Sequence, residues 1–335
     1  MHRRLFVATL VAVFAAWMPA QAREPLTLQL KWLPQAQFAG YYVAKAKGYY
    51  AGVDLDVTIL PGGPDIAPPQ VIAGGRADVI VEWMPAALAA RERGIPLVNI
   101  AQIYGRSGMM LTCRKDTGIR MTADLKGRTL GVWFSGNEYP FLAWMERLRL
   151  HPGEDVKVLR QGFDVAPLLS RQADCISTMT YNEYWQVIDG GLKPEDLVVF
   201  KYQDQKVATL EDGLYTTRAK LADHRMADRL ARFVAASQRG WRYAIAHRAE
   251  AVDVILNADP QKKLDRNVQA RMLDEVAKLV DARSKRLGRL EPAAYERTVK
   301  TLLAAKSDDD HAVISRKPKG AWTHSVWEAS RKYRK

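Results

Sequence analysis

The stretch "LKWLPQAQFAGYYVAKAKGYY", residues 30–50, decides how the fold is read. It closes an alternating run, "LTLQLKW", that reads as a strand. It then passes through "WLPQAQ" into "AGYYVAKAKGYYAGV", a helical pattern ending near a glycine. The junction holds Trp32, Pro34, Gln35, Gln37 and Phe38, where core packing would be satisfied with Leu and Val.

Outward from this junction the same rhythm continues. "DLDVTILPGG" is a strand stopped by Pro61-Gly62-Gly63, "IAPPQVIAGG" a short helix entered through prolines, "ADVIVEW" a buried strand, "MPAALAARERG" a helix and "PLVNIAQIY" a strand. Strands alternating with helices imply a parallel sheet with helices on its faces. The series then restarts with the strands "GMMLTCRKD", "RTLGVWF", "VKVLRQG", "ADCISTMTY" and "DLVVFKY" and helices between them. "GGRADVIVEW" in the first half parallels "SRQADCISTMTY" in the second. After "EDGLYTT" the chain turns helical, with Leu230, Phe233, Val234, Ser237 and Trp241 on one core stripe and Val268, Met272, Val276 and Leu279 on another. The predicted fold class is α/β: a two-lobe clamshell, each lobe a mostly parallel sheet flanked by helices, joined by two crossovers. Residues 23–112 form the first part of lobe 1, 113–208 lobe 2, and 209–306 the helical second part of lobe 1. A basic tail over 307–335 carries Trp322 and Trp327, which predict that part of it docks. The hinges are placed near Leu111–Arg114 and Val207–Leu214.

Residues 1–22 have a basic start (Arg3, Arg4), an apolar middle and an Ala20-Gln21-Ala22 ending, which reads as a cleaved signal peptide directing the chain to the periplasm. The formal charge of +13 is scattered, gathering mainly at "KKLDR", "RSKRLGR" and the tail, and reads as solvated faces; with no nucleic-acid motif, no nucleic-acid partner is expected. Cys113 and Cys175 form no disulfide framework and sit in apolar runs, so they read as buried thiols, although an oxidising compartment permits a bond.

In open α/β sheets ligands sit beyond the carboxyl ends of the strands. The loops there supply aromatic faces (Trp32, Trp83, Trp133, Tyr139, Tyr181), amides (Gln35, Gln37, Asn137, Asn182), carboxylates (Glu82, Glu138, Glu183) and glycine backbone (Gly62, Gly63, Gly136). Rings hold the faces of a planar heterocycle, while amides and carboxylates read its edge. Each has a plainer role: Trp32 as a cap on the core, Glu82 as an arginine partner, Gly136-Asn137-Glu138 as a helix cap, Glu183 as part of a solvated first turn. Catalytic signals are poor. The six histidines lack metal-ligand spacing, no phosphate loop is present, and no nucleophile is paired with a base.

"LKWLPQAQFAGYYVAKAKGYYAGVDLDVTILPGG", the Gly-Gly-Arg-Ala-Asp strand entry and "LAARERGIPLVNIAQIYGRSG" resemble the periplasmic solute-binding proteins of ABC importers, in the branch similar to thiamine-pyrimidine-precursor binders. Relatives bind riboflavin-like heterocycles, nitrate or sulfonates, and the superfamily includes fungal thiamine-pyrimidine synthases. The resemblance implies a Venus-flytrap fold that closes on a small-molecule ligand and docks, as a monomer, on an ABC permease. It implies a ligand-binding set of Trp32, Gln37, Gly62, Gly63, Glu82 and Trp83 from lobe 1 and Gly136, Asn137, Glu138, Tyr181 and Glu183 from lobe 2. No cofactor and no catalysis are expected. The alternative is a synthase using pyridoxal phosphate and histidine; its Cys-rich motif is missing here.

Overall fold

A computed structural model describes residues 22–259, 261–306 and 312–334. The signal segment read over residues 1–22 lies, except for Ala22, outside the described residues.

The first sheet has the order β2-β1-β3-β10-β4, from β1 (Glu24–Gln29), β2 (Leu55–Leu60), β3 (Val79–Glu82), β4 (Leu97–Gln102) and β10 (Gly213–Thr217). The second has the order β7-β6-β8-β5-β9, from β5 (Met109–Arg114), β6 (Thr129–Val132), β7 (Lys157–Arg160), β8 (Cys175–Met179) and β9 (Leu197–Lys201). The two orders are the same pattern. β10 runs antiparallel to both β3 and β4, and β5 antiparallel to both β8 and β9, while the β1–β2, β1–β3, β6–β7 and β6–β8 pairs are parallel. In each lobe the reversed strand is the first one formed after the chain crosses over.

Two differences from the sequence reading follow. "GLYTT" is a central strand rather than the lead into helices, so the second part of lobe 1 is not all helical. Leu111–Arg114 lies inside β5, and the first crossover is the preceding segment 103–108; lobe 2 therefore begins at Met109. The sequence hides this because "QIYGRSGMM" carries its apolar residues straight through the crossing.

The helices pack as amphipathic faces on these sheets. α1 (Ala39–Ala46) crosses α8 (His224–Ala246) at two glycines. A Cβ on Gly40 would stand 2.2 Å from the Trp241 ring, and one on Gly240 would stand 2.1 Å from the Gly40 carbonyl oxygen. Only glycine permits that approach. The tyrosines of the opening stretch secure the crossing. Tyr50 stacks on Phe233 at 5.3 Å and shares a 3.0 Å hydrogen bond with Ser237, and Tyr41 meets Trp241 edge-on. The C-terminal segment runs along the β4 edge, where Asn99 N–H donates to Ala321 O and Thr323 N–H donates to Asn99 O. α12 (Ser325–Ser330) then packs on α8, burying Trp327. An otherwise unpaired edge is covered in this way.

The two cysteines are bonded, contrary to the buried-thiol reading. Cys113 of β5 and Cys175 of β8 face each other directly in the antiparallel register, which sequence spacing could not reveal.

Candidate functional site

The carboxyl ends of β1, β3, β6 and β8 and the start of β10 converge between the lobes. A cavity there holds about 340 Å³ of empty space, counting what opens to solvent. Of the residues expected from sequence, Trp32, Gln37, Trp83, Asn137, Tyr181 and Glu183 line it, together with Lys31, Gln35, Trp133, Met179 and Asn182. Gly62, Gly63, Glu82, Gly136 and Glu138 are not in its lining. Each of these five acts one step back. Gly62 packs against the Leu30–Lys31 backbone and Gly63 lies beside Leu33, so both support the Trp32 loop. Glu82 holds Lys31. Glu138 Oε2 accepts from Gly136 N–H at 2.8 Å, which shapes the turn that presents Asn137.

The local reasons are visible. α3 (Met84–Glu92) begins directly after β3 with Pro85 in its first turn, leaving Trp83 extended at the junction. The Trp83 indole N–H donates to Asp212 Oδ1 at 2.8 Å, and Gln37 Nε2 donates to Asp212 Oδ2 at 2.8 Å. Gln35 Nε2 in turn donates to Gln37 Oε1 at 2.8 Å. Asp212 thus sets the amide orientation of Gln37 and, through it, of Gln35. Lys31 Nζ donates to Glu82 Oε1 at 2.5 Å, and the same oxygen accepts from Trp83 N–H at 2.8 Å.

From lobe 2, Asn137 Nδ2 donates to Phe134 O at 2.8 Å, whereas its buried Oδ1 has no partner among the described residues. Glu183 opens α6 (Glu183–Asp189); its carboxylate accepts from Met179 N–H at 3.0 Å and from Asn182 Nδ2 at 2.7 Å. Burial pushes the Glu183 carboxyl up to about 7 and that of Asp212 up to about 6, the latter against its hydrogen bonds from Gln37 and Trp83.

The lobes meet across the cavity. Trp32 and Trp133 approach with ring centroids 6.5 Å apart. Tyr104 meets Tyr181 edge-on at 6.2 Å, and Arg271 pairs with Asp189 beside the Trp185 ring. Gly136, at φ +98°, lies so close to α3 that a Cβ there would sit 2.5 Å from the Ala86 Cβ. Behind the cavity, Glu211 of the second crossover ties down the first: its carboxylate accepts from Gly108 N–H at 2.9 Å, from Met109 N–H at 3.2 Å and from Ser107 Oγ at 2.5 Å.

Lys31, Met179 and Asp212 escaped the sequence reading. Lys31 ends an alternating strand, where a charge reads as solvent-facing. Asp212 stands in "TLEDGLY", legible as a crossover but carrying no sign that β10 would enter the middle of the first sheet.

This architecture is the periplasmic-binding-protein fold. A ligand-binding component of an ABC-type import system from Staphylococcus aureus superposes with TM-score 0.62 at 16% identity, covering 92% of this chain and 100% of that one. Residues 35–251 match the NMT1/THI5-like family, and the chain belongs to it. A formylaminopyrimidine-binding protein of Halalkalibacterium halodurans is 24% identical over 70% of this chain and 71% of its own length. A riboflavin-binding protein of Chloroflexus aurantiacus is 26% identical over 77% of this chain and 74% of its own. The chain spans about half the length, 51%, of a curated thiamine-biosynthesis relative from Haemophilus influenzae.

Proposed function

We propose that this chain is the extracytoplasmic solute-binding subunit of an ABC importer, capturing a thiamine-pyrimidine precursor such as formylaminopyrimidine or hydroxymethylpyrimidine between its lobes and presenting it to a permease. One observation carries the reading: the cavity pairs aromatic walls from both lobes with buried acceptors, Asn137 Oδ1 and the Glu183 carboxyl. Rings on both sides suit a planar heterocycle, and acceptors suit its exocyclic amine. Buried carboxyls at Glu183 and Asp212 oppose nitrate or sulfonate, which the more distant relatives of the fold take. Binding of this kind stabilises the arrangement in which both lobes touch the ligand.

The competing class is the synthase. Among the described residues the cavity lining has neither histidine nor cysteine, and its lysine is paired with Glu82, which supports binding over catalysis.

The test is a thermal-shift and calorimetric panel on the mature chain with pyrimidine precursors, thiamine, riboflavin, nitrate and sulfonates. A bound ligand raises the melting temperature by mass action. Stabilisation by a pyrimidine precursor is expected. Stabilisation by nitrate or an alkyl sulfonate alone would overturn the heterocycle, and turnover of pyridoxal phosphate with histidine would overturn the non-enzyme reading.

A further inference from the structure

Lys31 is a lysine held almost wholly inside the protein, 5% exposed, at the wall of the ligand cavity. An ammonium carries three N–H donors. One goes to Glu82 Oε1, and among the described residues no second oxygen is within hydrogen-bond distance of Nζ. The ammonium lies 5.1 Å from the Trp83 ring centroid, which holds it against one wall. Glu82 is fully buried, and its Oε1 is fixed a second time by the Trp83 backbone N–H. The lysine is therefore anchored with donors to spare, at a site where water is scarce and an unmet donor is costly.

We propose that Lys31 is a specificity-determining residue that donates to a neutral oxygen acceptor on the ligand, a carbonyl above all. This rests on the heterocycle reading above. The pairing with Glu82 decides the class of acceptor. Lysine alone would favour a carboxylate or sulfonate. With the Glu82 carboxylate at 2.5 Å the pair carries no net charge, so an added anion meets no uncompensated positive charge. A ligand that places a protonated amine there fares worst, because it offers no lone pair and faces the ammonium. Together with the acceptor at Asn137 Oδ1, the cavity offers a ligand both a donor and an acceptor, and suits a ring that carries an N–H donor and a carbonyl oxygen.

The experiment compares the N-formyl and free-amine forms of the same aminomethylpyrimidine by calorimetry on the mature protein. The wild type should prefer the N-formyl form by roughly tenfold or more, the scale of one hydrogen bond to a charged group. Lys31→Met should bring the two affinities within about threefold of each other, and Lys31→Arg should keep the preference. Glu82→Gln removes the carboxylate paired with the ammonium, leaving the weaker Coulombic pull of Asp212, and should shift preference toward a carboxylate analogue of the same ring, an effect that mere loss of packing does not produce. Equal wild-type affinities, or an unchanged preference in a folded Lys31→Met protein, overturn the proposal. If the wild type binds only nitrate or a sulfonate, the heterocycle reading fails and the neutral-acceptor proposal falls with it; equal affinities for the two pyrimidine forms overturn the proposal while leaving the heterocycle reading intact. Binding of none of these compounds overturns both.

Discussion

The indole N–H of Trp83 and the carboxylate of Asp212 meet at 2.8 Å across 129 residues of sequence. Their contact joins the end of β3 to the start of β10, and Gln37 completes it from the turn between β1 and α1. Asp212→Asn keeps one acceptor oxygen and puts an amide donor in place of the other, so that either Trp83 or Gln37 faces donor with donor. It should destabilise the fold by about 1–3 kcal/mol, the cost of a buried donor left unmet. Ligand affinity should fall with it, since Gln37 and Gln35 lose their fixed orientation. Chemical denaturation and calorimetry on the same variant check both.

Trp32 forms the lobe 1 wall and faces Trp133 from lobe 2. Trp32→Ala should weaken a heterocycle by about 1–3 kcal/mol through lost burial and ring contact. Titration by tryptophan fluorescence or calorimetry measures it. Unchanged affinity would reduce Trp32 to a cap on the core.

Gly136 and Ala86 mark where the lobes come closest. Ala86→Leu puts a larger side chain into that contact without disturbing a positive φ. It should hold the lobes apart and weaken ligand binding by about tenfold or more, about 1.4 kcal/mol, while the ligand-free protein melts almost as before. Gly136→Ala should weaken binding too, and also lower stability, because its φ of +98° strains any residue with a Cβ. Small-angle scattering with and without ligand separates the two effects.

Three buried carboxyls make stability depend on pH. Burial raises Asp212 from 3.8 to about 6, Glu183 from 4.5 to about 7 and Glu211 from 4.5 to about 8. The folded chain holds these protons more tightly than the unfolded chain does. Their contribution is complete below pH ~4 and is lost as pH rises through the folded values. The melting temperature should therefore fall between about pH 5 and pH 8. Asp116, lowered to about 2 by its hydrogen bond from Arg114, acts in the opposite sense and only at lower pH. Glu211→Gln should flatten the curve above about pH 7, whatever it does to the melting temperature itself.

The Cys113–Cys175 bond closes a loop with a sequence separation of 62. Replacing both cysteines by alanine should cost about 2–5 kcal/mol, chiefly by freeing the unfolded chain. Both cysteines are fully buried, so dithiothreitol should leave the native protein oxidised until it opens. Thermal melts of the variant, and thiol trapping during a slow denaturant ramp, test the two halves.

Much of this was legible in one dimension because local physics writes it there. The alternation of strands and helices, the repeated lobe, the aromatic strand-end loops and the core stripe of α8 follow from periodicities of two and 3.6 residues. That Trp32, Gln37, Trp83, Asn137, Tyr181 and Glu183 line the cavity was legible because each lies in the connection after a strand and carries ring, amide or carboxylate chemistry. Where each chain reversal enters its sheet was not legible. The insertion of β10 between β3 and β4 brings Asp212 to Gln37 and Trp83, and the β5–β8 register brings Cys113 to Cys175. Lys31 looks like a solvated strand end until Glu82, from the neighbouring strand, buries beside it. Sequence by itself determined the elements and the chemical stock of the loops, since those depend on neighbours a few residues apart. Tertiary structure alone decided which charges are paired, which carboxyls are desolvated and which polar atoms are left for a ligand, because each depends on groups distant in sequence that meet where water is excluded.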